Sequence, residues 1–206
     1  MRRLFMLLLL PNMLIAKEQK YLKSFFAYRQ ASYFATQVYQ EHTVATFYKL
    51  KEINKPVNID SLDIHLLNAC LFFATNKLRL LHHKQALKID FNLKNAAAIH
   101  SFQMSTYHFF THNHPYNSKL KTSAQRLKLC GITTAEAIGE NCHKTSIYAD
   151  LTYLELAQQV IESFYQSPVH KQNLLNAQFR YLACATAIEF PNTDNAAIIV
   201  TQDFYD

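Results

Sequence analysis

The closing stretch Tyr181–Asp206, YLACATAIEFPNTDNAAIIVTQDFYD, decides the reading of the fold. Leu182, Cys184, Thr186, Ile188 and Phe190 alternate with Tyr181, Ala183, Ala185, Ala187 and Glu189, the period of two that a strand imposes. The run PNTDN supplies turn residues, and Ala197–Phe204 reads as a second strand. Upstream the period changes. Leu62, Leu66, Ala69, Phe73 and Leu80 follow helical spacing, with Asp60 or Ser61 as the expected cap. Leu93, Ala97, His100, Met104 and Tyr107 mark another helix from about Asp90 to about His112, where Asn113, Pro115 and Asn117 stop it. Thr152 and Glu155 form a capping box ahead of the stripe Leu154, Ala157, Val160, Ile161, Phe164 and Tyr165. Ser167 is then the expected N-cap, and Pro168 the first residue, of a short further helix. Helices followed by a terminal hairpin predict an α+β domain with helices covering an antiparallel sheet.

Residues 113–150 show no long periodic segment and hold both glycines of the chain, Gly131 and Gly139. They read as a structured loop, the kind of segment that often carries function. Positive φ is expected there, because glycine reaches it without steric cost.

The 206 residues fit one domain with an extension, and half of them are hydrophobic, enough for a core without disulfides or metal. The formal charge is +6; it falls to about +4 when Arg2 and Arg3 leave with a leader. Basic residues are scattered, with no coherent face and no interleaved stacking aromatics, so nucleic acid is not an expected partner. Met1–Ala16 joins a basic start to an apolar run too short to span a bilayer, the form of a signal peptide. No other run is long enough to cross a membrane. Lys17 to about Lys55 is aromatic and mostly helical in pattern, and Pro56 breaks it. The expected organisation is a signal peptide at 1–16, a helical extension at 17–60 that packs on the main domain, and the domain itself at 61–206. Export would permit disulfides among Cys70, Cys130, Cys142 and Cys184. Cys70 reads as a buried thiol, whereas Cys130 and Cys142 bracket the glycine-containing segment.

Three blocks carry groups that bind metals or move protons: FFTH at Phe109–His112, GEN at Gly139–Asn141 and SPVHKQNLL at Ser167–Leu175. His170 falls in the first turn of its helix, where the positive dipole end disfavours imidazolium and leaves the neutral ring that a ligand requires. His112 reads as the end of its helix, sharing a face with His108. Glu140 sits in a loop, with Asn141 supporting that loop. His114, His82, His83 and His143 read as surface residues.

In order, the blocks resemble a known family. Asn76–Arg79 gives an NxxR-like run and Asn95–Met104 an alanine-rich helix. FFTH follows, then Arg126 ahead of Gly131, GEN, an aromatic at Phe164, SPVHKQNLL and finally TQDF at Thr201–Phe204. This order is similar to the CAP superfamily of cysteine-rich secretory proteins, antigen 5 and pathogenesis-related proteins, in its bacterial SCP-like form, over about Ser61–Tyr205. Val169 and Lys171 depart from the glycine and arginine of the bacterial SPGHR motif.

The resemblance implies an α-β-α sandwich with a small central antiparallel sheet between helical layers. It also implies a cleft of two histidines and two acidic residues. His112, Glu140 and His170 take three of those places, and either Ser167 or Glu162 the fourth. Two imidazoles and a carboxylate suit Zn²⁺ or another divalent cation, with a fourth position open. The expected function is a secreted or cell-envelope binding module for a protein, glycan or lipid ligand. The alternatives are a hydrolase working through bound metal or Glu140, and a carrier of apolar ligands lined by Phe25–Phe34 and Leu71–Phe73.

Overall fold

The computed structural model describes residues 32–147 and 150–206. The expected signal peptide, and the part of the aromatic Phe25–Phe34 segment that precedes Ser32, lie outside them.

The hairpin forms as its period requires. Strands β3 (Tyr181–Glu189) and β4 (Ala197–Tyr205) pair antiparallel, with Tyr181 opposite Tyr205 and Glu189 opposite Ala197. A third long strand, β2 (Ile138–Ser146), pairs antiparallel with the other side of β4. The two-residue β1 (Lys88–Ile89) adds to β3 in parallel, giving the order β1-β3-β4-β2.

Helices cover both faces. In chain order they are the one-turn helices α1 (Val38–Glu41) and α2 (Val44–Phe47), then α3 (Ile64–Leu81), α4 (Phe91–Tyr107), α5 (Ser123–Leu129), α6 (Tyr153–Gln166) and α7 (Pro168–Leu175). Helices α3 and α6 pack on one face of the sheet, and α4 with α5 on the other. The result is an α-β-α sandwich within the α+β class.

The caps show how local chemistry sets these boundaries. Asp63, not Asp60 or Ser61, caps α3 by accepting from the His65 and Leu66 amides. Asp90 does the same for α4, and the predicted Thr152–Glu155 capping box starts α6. Ser167 holds the N-cap position of α7 with Pro168 at N1, but its side chain makes no capping bond.

The expectation of a loop over 113–150 needs correction. It contains α5, opened by a capping box of Thr122 and Gln125, and all of β2. Strand β2 escapes a period-two reading because both of its faces carry polar side chains (GENCHKTS). Gly131 does sit at positive φ (91°), ending α5. Gly139 is required for a different reason. It lies in the strand, and a Cβ there would come within 2.8 Å of both Asn173 Oδ1 and the Phe179 ring.

The described part of the extension consists of single turns. Phe47 and Ile53 are fully buried, Phe47 stacks on Phe73 at 4.0 Å, and Tyr39 packs against Phe72, Phe73 and Phe91. Residues 55–57 strap the start of α6, with the Val57 amide donating to the Leu151 carbonyl at 2.7 Å. No helix among the described residues is long and apolar enough to cross a membrane.

Candidate functional site

Strand β2 is the sheet edge at which the blocks meet. Side chains alternate along a strand, so Glu140 and Cys142 face α4 while Asn141 and His143 face α6 and α7. His112 Nδ1 donates to Glu140 Oε1 at 2.8 Å. His170 lies across from His112, ring centroids 6.5 Å apart, with its own ring edge-on to Phe164. His112, Glu140 and His170 therefore gather at one edge of the sheet.

The SPVHKQNLL block is held in place by polar contacts at both ends. Asn141 Nδ2 donates to the His170 carbonyl at 3.3 Å, and Asn173 Nδ2 donates to Asn141 Oδ1 at 2.8 Å and to the Glu140 carbonyl at 3.1 Å. Arg79 is buried in α3 and donates to the carbonyls of Leu174 and Asn176, satisfying groups that the end of α7 leaves open. Asn141 and Arg79 thus fix the helix that carries His170.

His112 does not end a helix. Helix α4 stops at Tyr107, where His108 adopts the left-handed conformation (φ 53°), and His112 follows in irregular chain. The expected shared face with His108 is therefore lost. His108 turns the other way and pairs with buried Glu189 at 3.2 Å, its ring stacked on Phe190. His114 is a further correction: it is buried, not on the surface. Its Nδ1 accepts from the Tyr116 and Asn117 amides, which leaves Nε2 to donate to Gln103 Oε1 at 2.8 Å. That ring braces the loop bearing His112. His143 is half-buried against Phe164, and burial lowers its pKa. Glu162 is exposed and accepts from Gln166.

The surroundings of Glu140 hold four groups that the three blocks did not bring into the site. Arg126, fully buried on α5, donates to Glu140 Oε2 and to the carbonyls of Leu120, Lys121 and His112. One guanidinium thus ties the His112 loop to the carboxylate. His100, 0% exposed, points Nε2 to within 3.6 Å of Glu140 Oε1, and neither ring nitrogen has a hydrogen-bond partner. Cys142 Sγ lies 3.8 Å from His112 Nδ1. Asp203 is the cross-strand neighbour of Glu140 and is fully buried. The sequence held signals for two of them. His100 lies on the buried stripe of α4, and Asp203 lies in a strand with almost no exposed position.

These placements set the charges. Burial pushes His100 down to about 4, so its ring is neutral. Burial, and then the charge of Glu140, push Asp203 well above the carboxylate range. Burial works against ionised Glu140 as well, but the His112 bond and the Arg126 charge outweigh it and hold its pKa low. The Glu140 bond raises His112, while burial and the neighbouring His112 lower His170. Burial raises Cys142 strongly. The site therefore has one ionised carboxylate on a fixed cation, with the neutral His100 ring and Cys142 thiol beside it. Among the described residues, His100, Glu140 and Cys142 form a group whose ligand atoms all lie within 4.8 Å of one another.

The cysteine-rich secretory protein (CAP) family model matches residues 72–204. The chain belongs to that family. Two solved structures share the fold. An extracellular protein containing an SCP domain from Bacillus anthracis has a TM-score of 0.51 at 24% identity, over 68% of this chain. The chain spans only 40% of that protein's length. An outer surface protein from Borrelia burgdorferi has a TM-score of 0.54 at 18% identity, over 74% of this chain and 98% of its own. No curated protein sequence matches the chain significantly. The CAP match spans all three blocks, Arg126 and the terminal hairpin. The one-turn helices of residues 32–60 precede it.

Proposed function

We propose that this CAP domain is a secreted or cell-envelope binding module. Its cleft takes a divalent cation at Glu140, where His112 and His170 flank the carboxylate, and its partner is a protein, glycan or lipid outside the cytoplasm. The location is supported by the extracellular protein from Bacillus anthracis and the outer surface protein from Borrelia burgdorferi that share the fold. One observation carries the cation reading: the Glu140 side chain is buried, and ligand atoms of His100 and Cys142 lie within 4.8 Å of its carboxylate and of each other. Such a donor set suits Zn²⁺.

A hydrolase is less well supported. His112 and Arg126 hold the Glu140 pKa low, which makes it a weak general base. Ser167, at the start of α7, has no imidazole bonded to it among the described contacts.

Calorimetry with Zn²⁺ tests the reading. The wild-type protein is expected to bind near neutral pH, and Glu140→Gln to lose that binding at least tenfold. Absence of heat from the wild type, or undiminished binding by the variant, would overturn it.

A further inference from the structure

The chain between α4 and α5 frames a hollow of its own. Residues from Thr111 to Lys121 line a cavity of about 550 Å³, within the roughly 300–1,000 Å³ of small-ligand pockets. The Tyr116 ring is 74% exposed there. The polar side chains of Thr111, Asn113 and Ser118 are exposed beside it. Among the described residues no protein group bonds these three side chains. Asn117 accepts the Lys119 amide on Oδ1, which leaves its Nδ2 for another acceptor.

Two buried side chains fix this loop although it has little regular structure. His114 accepts from the Tyr116 and Asn117 amides, and its own amide donates to the Lys121 carbonyl at 2.9 Å. Arg126 holds the carbonyls of His112, Leu120 and Lys121. The Tyr116 ring stands edge-on to Phe109 and to His114, 6.2 Å between centroids in each case. Groups held in this way lose little freedom when a ligand arrives.

The charge has one sign. No Asp or Glu occurs from Phe109 to Ala135, whereas that stretch holds Lys119, Lys121, Arg126 and Lys128. Arg126 is committed to Glu140. Lys121 is exposed and lines the hollow, which has no acidic residue in its wall.

We infer that this hollow binds a saccharide unit that carries a carboxylate. The pyranose ring packs on Tyr116, whose negative π face attracts polarised C–H groups. Its hydroxyls exchange hydrogen bonds with Thr111, Asn113 and Ser118, side chains that both donate and accept. Its carboxylate pairs with Lys121. An acyl chain fits less well, because it would cover these polar groups without replacing their water. The inference rests on the reading of the domain as a binding module and narrows its partner to an acidic glycan. It does not depend on the cation at Glu140.

An array of uronic-acid and sialic-acid oligosaccharides, printed beside neutral hexose oligosaccharides of the same length, tests it. The full chain, with a chelator present, is expected to bind acidic members about tenfold more tightly than neutral ones. Added salt is expected to narrow that ratio, since Lys121 is exposed. On the strongest array member, Tyr116→Ala is expected to weaken binding about tenfold and Lys121→Met about fivefold. Both side chains are exposed, and circular dichroism checks that both variants keep the fold. Equal binding of acidic and neutral members overturns the carboxylate assignment. Binding that survives both substitutions overturns the site. No binding to any array member overturns the saccharide, while Zn²⁺ calorimetry on the same protein still decides the cation. A chain that binds neither saccharide nor Zn²⁺ overturns the binding-module reading as well.

Discussion

The two faces of the sheet are built from opposite materials. On the α3 and α6 face, Leu182, Cys184, Ile198, Val200 and Phe204 join Leu67, Phe73, Leu156 and Phe164 in one large apolar cluster. On the α4 and α5 face the apolar contacts break into small groups, such as Ala97, Ala98 and Ala185. Between those groups lie Ser101, whose hydroxyl bonds to Thr201 Oγ1 and to the Ala185 carbonyl, and the set of His100, Arg126, Glu140 and Asp203. Both faces are buried. One stabilises by removing apolar surface from water, the other by satisfying charges against one another. The second kind of packing is less forgiving, because a single deletion strands a partner.

Breaking the apolar face gives the largest expected loss of stability. Phe204 is fully buried and stacks on Phe179. Phe204→Ala is expected to cost about 3–5 kcal/mol in urea unfolding, and Zn²⁺ binding by the folded fraction should persist. On the polar face, Arg126→Met keeps the volume but leaves Glu140 and three carbonyls without their donor. It is expected to cost about 3 kcal/mol and to perturb the His112 loop. A loss below about 1 kcal/mol would mean that the Arg126–Glu140 pair behaves as an exposed ion pair.

Acid separates the faces next. The folded pKa of His100, about 4, lies below the ordinary histidine value of 6.5, so the unfolded chain takes up the proton first. Stability is therefore complete above pH 6.5 and falls as the pH drops toward 4, by about 3 kcal/mol from this residue. His170 and His143 act in the same direction. Unfolding measured across that window should show the slope, and His100→Gln should flatten it. The smallest effect is at His112, whose pKa is raised by Glu140. Its contribution is present below pH 6.5 and is lost as the pH rises through the folded value. The ring is 53% exposed, so the gain should stay below about 1 kcal/mol. NMR titration of the metal-free protein should place His112 above 6.5, and Glu140→Gln should remove the shift.

Much of the apolar face was legible in the sequence. The hairpin period, the α6 stripe and its capping box, and the buried Cys70 are all signals of repeated hydrophobic spacing. The polar face was legible only in part. The blocks containing His112, Glu140 and His170 stood out as short motifs, and the sheet edge brings them together. However, β2 looked like a loop, because a strand with polar groups on both faces has no apolar alternation to detect. Asp203 and Arg126 took their meaning from the partner that the fold supplies. His114 looked exposed because Pro115 follows it, yet three hydrogen bonds to its own loop and Gln103 hold it inside. No local pattern could reveal that His108 would turn to Glu189, since a single left-handed residue decides it.

The central claim is that separate imidazoles and one ionised carboxylate converge on a cation. Anomalous diffraction at the zinc edge from a Zn²⁺-soaked crystal tests it most directly. The account predicts a single strong peak about 2.0–2.2 Å from Glu140 Oε1. A peak bound elsewhere on the domain, or an empty edge beside Glu140 at saturating Zn²⁺, would contradict it.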